Sequence, residues 1–106
     1  STAEAKLELS PVLGTFSAQT KMVTWGDFAA FLVGTSADTG MMLLVRLSDW
    51  KVRKVLRPAG PYSGFEPYSL TLTSSHLFLG FSKSSTAIKD VTRYELSKFE
   101  EWTESL

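Results

Sequence analysis

The sequence predicts an all-β domain, on three observations. Its apolar residues come in short runs, at 22–25, 29–33 and 41–47, too brief for an amphipathic helix. Each run stops at Gly, Asp, Ser or Pro, the residues that make turns. Residues 50–56 and 68–73 alternate, the period of a half-buried strand.

Taken in order, residues 1–6 read as a leader and 7–13 as a short strand ending at Gly14. After a small-residue connection, the strand at 22–25 stops at Gly26-Asp27 and the strand at 29–33 stops at Gly34. Residues 35–40 are polar and turn-rich, 41–47 are a third strand, and Ser48-Asp49 makes a turn. In the fourth, Trp50 and Val52 fall on one side and Lys51, Arg53 and Val55 on the other. Residues 57–67 hold Pro58, Pro61 and Pro67, and read as a connecting loop because proline cannot donate to a ladder. The second half repeats the grammar, with strands at 68–73, 77–80, 91–96 and 99–106.

Composition narrows the function classes. A chain of 106 residues is one domain, and 43% apolar against 21% charged residues is the balance of a folded protein. Eleven basic residues offset eleven acidic ones, so no cationic excess draws nucleic acid. Without cysteine there is no disulfide, thiolate metal site or cysteine nucleophile. No apolar run is long enough to insert in a membrane as a helix. Nothing in the sequence implies a cofactor.

The halves align. Phe31-Leu32-Val33-Gly34 matches Leu77-Phe78-Leu79-Gly80, and Arg46-Leu47-Ser48-Asp49-Trp50-Lys51 matches Glu95-Leu96-Ser97-Lys98-Phe99-Glu100, at offsets of 46 and 49 residues. A period near this length, with four short strands, is the signature of propeller blades. The run ending at Gly80, then Asp90-Val91-Thr92-Arg93-Tyr94-Glu95-Leu96, then Glu101-Trp102-Thr103-Glu104-Ser105-Leu106, resembles a kelch-type blade. The first half more loosely resembles epilepsy-associated (EAR) repeats. The pattern departs from kelch where Phe81 follows Gly80, where Glu95 stands for the blade aspartate, and where Arg53 stands near the expected tryptophan.

The resemblance implies two four-stranded antiparallel blades in one domain, 1–106. The first, with its leading strand, spans 7–56, the loop 57–67, and the second blade 68–106. Two blades cannot close a ring, so the partners implied are copies of this chain or other chains of a larger propeller. The implied function is a non-catalytic protein–protein interaction or assembly module. The alternative is a small ligand- or carbohydrate-binding lectin formed by ring oligomerisation. A competing architecture is a compact β-domain with a C-terminal helix. Ile88, Val91, Phe99, Trp102 and Leu106 share a face at helical spacing, and the ending resembles the last helix of pleckstrin-homology domains.

Candidate residues follow from this reading. Asp38-Thr39-Gly40 resembles the active-site triplet of aspartic proteases, which implies a remote third function, a dimeric aspartic-protease-like enzyme using Asp38, but its polar approach, Thr35-Ser36-Ala37, favours a turn. Gly34 and Gly40 lack the spacing and the lysine of a phosphate loop. His76 is the only histidine and reads as a surface residue. Trp25, Trp50, Trp102, Phe65 and Tyr68 could line a binding face, though aromatics in a small β-domain usually build the core. Tyr62 and Phe65, in the long loop, are candidates for recognition. Residues 46–57 carry five bases against one acid, and 95–106 carry one base against four acids. The two segments read first as solvated outer edges whose charge blocks unwanted strand pairing; in the functional reading, Arg53 and Lys54 meet Glu101 and Glu104 across a subunit boundary.

Overall fold

The computed structural model describes residues 21–33, 41–56, 65–83 and 89–106, and these form an all-β structure. The strands are β1 (Lys21–Trp25), β2 (Phe28–Val33), β3 (Met41–Arg46), β4 (Lys51–Val55), β5 (Phe65–Leu72), β6 (His76–Lys83), β7 (Lys89–Glu95) and β8 (Thr103–Ser105). One 3-10 turn, Leu96–Lys98, follows β7. Two antiparallel sheets result, with strand orders β1-β2-β3-β4-β8 and β5-β6-β7. Among the described residues no helix is long and apolar enough to cross a membrane.

The division is five strands and three, and this corrects the expected four and four. The chain leaves β7 through the 3-10 turn, and the Trp102 indole donates to the Glu95 carbonyl at 2.7 Å. That bond turns the chain away from β7, and β8 pairs with β4, setting Val55 opposite Thr103 and Lys54 opposite Glu104. The C-terminal helix is likewise overturned: Thr103–Ser105 is strand. A helix there would have turned Glu95 and Lys98 into its apolar face, whereas both are exposed.

Register explains the core. Antiparallel partners share a sheet face, so Ala30, Leu32, Met42, Leu44 and Val55 project from one face of the first sheet. Leu70, Leu72, Leu77, Leu79, Phe81 and Tyr94 project from one face of the second, and the two sets form one buried cluster. Each large side chain fully buried contributes roughly 1.5–3 kcal/mol of transfer free energy. Ala29, Leu43 and Val45 point to the opposite face of the first sheet and are buried too. The centre of that sheet is therefore apolar on both sides. The second sheet is not: on its outer face Thr71, Arg93 and Glu95 are exposed, and Val91 is 70% exposed.

β5 begins at Phe65, inside the segment expected to be loop. Pro67 is tolerated because β5 is an edge strand, and the register shifts between Pro67 and Ser69, a bulge. β6 runs on past Gly80 to Lys83, where the glycine suggested an end; Gly80 pairs with Ser69 beside that bulge.

Candidate functional site

Strand alternation gathers the tight turns at one end of the molecule. Gly26-Asp27 joins β1 to β2, residues 47–50 join β3 to β4, and residues 73–75 join β5 to β6. Gly26 has φ +57°, the left-handed conformation that favours glycine. The Leu47 amide donates to the Asp27 carbonyl at 2.7 Å and ties the first two turns together. The Leu96 amide donates to the Ser75 carbonyl at 2.9 Å and ties the third to the segment after β7.

Between these turns lies an open groove of about 410 Å³, lined by Trp25, Asp27 and Phe28 on one side and by Ser74, Ser97 and Phe99 on the other. Phe28 and Phe99 meet edge to face at 5.6 Å. The Arg46 guanidinium stands 5.2 Å over the Phe99 ring and donates twice to Asp49, at 3.1 and 2.7 Å. Those bonds hold the Asp49 carboxyl below its ordinary value; partial desolvation opposes them, and the Lys51 amide adds to them. Asp27 accepts from the Ser48 hydroxyl through Oδ2 at 2.7 Å, and its Oδ1 has no hydrogen-bond partner among the described residues.

Two of the three tryptophans are exposed at this end. Trp25 is 55% and Trp50 41% exposed, and neither indole N–H has a hydrogen-bond partner among the described residues. Trp50 also has φ +58°, where a β-carbon is strained. Trp102, in contrast, packs on Tyr94 with ring centroids 4.8 Å apart and lies against the core. No local signal marks Trp50 as left-handed, because that position in a hairpin turn normally belongs to Gly or Asn.

The charged candidates meet inside one chain. The Lys54 ammonium lies 3.8 Å from Glu104, and Lys51 lies 3.9 Å from Glu100. Arg53 donates to the Thr103 hydroxyl, to the Thr103 carbonyl at 3.1 Å and to the Ser105 hydroxyl at 3.5 Å. Glu101 is exposed. Arg53 donating to neutral acceptors on β8 therefore holds the β4–β8 seam together with the ion pairs, a role the charge pattern alone did not reveal.

His76 is half-buried, with Nδ1 2.7 Å from the Ser75 hydroxyl and its ring 5.9 Å from Phe78. Among the described residues no group of three or more His, Asp or Glu side chains is placed to hold a metal. Asp38 and Tyr62 lie outside the described residues, as do the side chains of Phe65 and Tyr68. No family model, curated protein or solved structure matches the chain.

Proposed function

We propose that the chain is a non-catalytic protein–protein interaction or assembly module whose contact surface is the turn end of the two sheets. The observation that carries this is the exposure of Trp25 and Trp50 at the same end of the molecule, Trp25 lining the groove and Trp50 on strained backbone. Tryptophan and arginine anchor protein interfaces more than other residues, and Arg46 stands between the two turns. Strained backbone held at an exposed residue is a feature of binding surfaces.

The finer reading is a segment of a β-propeller, related to kelch-like or EAR-like repeats. Strands β1–β4 and β5–β7 are up-and-down meanders, β8 adding to β4 out of sequence, and the two sheets pack face to face. Antiparallel sheets packed face to face are the arrangement of neighbouring blades, which supports the reading. A second reading, a carbohydrate-binding lectin, is favoured by the groove: aromatic walls, the unengaged Asp27 Oδ1 and two serine hydroxyls suit a sugar ring with an apolar face and a polar edge.

The test replaces Trp25 and Trp50 together by serine and compares capture of binding proteins with thermal stability. The interaction reading predicts capture weakened about tenfold or more, with the folded state retained. Undiminished capture would contradict it. Glycan binding abolished by Asp27→Asn would favour the lectin instead.

A further inference from the structure

The groove at the turn end carries a single charge. Among the described residues that line it, Asp27 alone is ionisable, and its Oδ1 has no hydrogen-bond partner among the described residues. The Ser74 and Ser97 hydroxyls on the facing wall have none there either. These three residues and Trp25 are all exposed. The ends of β2, β4 and β6 and the starts of β1, β3, β5 and β7 lie at the opposite end of the sheets. We propose that this groove takes the ammonium of a lysine side chain presented by a partner chain. The proposal rests on the interaction reading above and gives its surface a chemical preference.

Charge selects a cation, because a hydrogen bond to a carboxylate is roughly twice as strong as a neutral one. Arg46 does not supply that cation. Its guanidinium donates to both oxygens of Asp49 and lies over the Phe99 ring. The acceptors then separate lysine from its rivals. An arginine fork suits a carboxylate that offers both oxygens, and Asp27 Oδ2 already accepts from the Ser48 hydroxyl at 2.7 Å. An ammonium is a point charge with three donors, and the groove offers Asp27 Oδ1 and two serine hydroxyls. A methylated ammonium needs a cage of open aromatic faces instead. Here Phe28 and Phe99 are half-buried and engage each other edge to face, which leaves Trp25 as the exposed ring of the groove.

The walls suit the rest of the side chain. A lysine stem covers apolar surface while its charged head stays among polar groups. The Trp25 indole, 55% exposed, offers that surface beside Asp27. The acceptor is also held in advance. The Leu47 amide fixes the Asp27 carbonyl and the Ser48 hydroxyl fixes its carboxylate, so little ordering remains when the ligand arrives.

The experiment titrates Nα-acetyl-lysine methylamide into the unmodified chain at fixed ionic strength and follows backbone and indole N–H signals by NMR. Saturable shifts are expected at Trp25, Asp27 and Ser97. The Nε-acetyl and norleucine counterparts, which lack the charge, should bind about tenfold more weakly or worse. The Nε-trimethyl and arginine counterparts should also bind more weakly than lysine. Asp27→Asn keeps an acceptor for Ser48 and removes the charge, and is expected to cost about tenfold in lysine affinity with the other signals in place. Ser74→Ala with Ser97→Ala should weaken lysine binding as well. No shift at the groove, equal binding of the Nε-acetyl form, tighter binding of the trimethyl form, or unchanged affinity in Asp27→Asn would each overturn the proposal. If lysine fails in one of these ways while the Trp25 and Trp50 double variant still loses its captured proteins, the lysine assignment is wrong and the interaction reading stands. Lysine binding at the groove with undiminished capture by that variant would instead keep the site and contradict the interaction reading.

Discussion

Trp50 and Asp49 show how a single turn combines strain with an ionic fastening. A left-handed non-glycine residue costs about 1–2 kcal/mol, and a 41% exposed indole recovers only part of that by burial. Trp50→Gly is therefore expected to raise stability by about 1 kcal/mol, read from the urea midpoint at unchanged slope. A lowered midpoint would show that the indole packs more than it strains. Asp49 makes the turn sensitive to acid. Its carboxyl is held below the ordinary aspartate value by the Arg46 bonds, so its contribution is complete above that value and is lost as pH falls through the lowered one. Comparing Asp49→Asn with the unmodified chain across that window should show the gap in stability closing toward acid. The turn itself was legible in Ser48-Asp49. The exposure and conformation of Trp50 were not, because hydrophobic pattern placed its indole in a strand.

At the scale of elements, β8 is the least legible strand and the one that joins the sheets. Its three residues carry no apolar alternation, yet Thr103 is buried, accepts from Arg53 and donates to the Phe99 carbonyl at 2.7 Å. The Leu56 amide donates to the Trp102 carbonyl at 3.0 Å, and the Tyr94 hydroxyl donates to the Leu56 carbonyl at 3.1 Å. These bonds stitch the end of β4 to β7 through the C-terminal segment. Thr103→Val keeps the shape and removes both hydroxyl bonds, leaving Arg53 and the Phe99 carbonyl short of a partner. A loss of about 1–3 kcal/mol is expected in urea denaturation. Lys54→Ala removes only an exposed ion pair and should cost less than about 1 kcal/mol. If the two changes cost the same, the Thr103 hydroxyl bonds do not hold the seam. Most other strands were visible in the apolar runs. Pro67 and Gly80 hid the start of β5 and the continuation of β6, since both residues usually end strands and here they flank a bulge at an edge.

For the whole molecule, pairing between β4 and β8 changes what the charge pattern means. Basic and acidic segments nearly half the chain apart in sequence were expected to join subunits, and they close one chain on itself. Long-range pairing of this kind leaves no local trace: alternation predicts a strand but not its neighbour. The all-β class was legible for the opposite reason, since turn residues and alternation are local. With Lys51 and Lys54 paired inside the chain, the exposed tryptophans are the surface among the described residues to which the proposed association is assigned. The most direct test of the assembly module is light scattering of the unmodified chain across a wide range of concentration. The account predicts a mass that rises from 11.7 kDa to at least twice that value as concentration increases, with the fold unchanged. A mass that stays at 11.7 kDa throughout would contradict it.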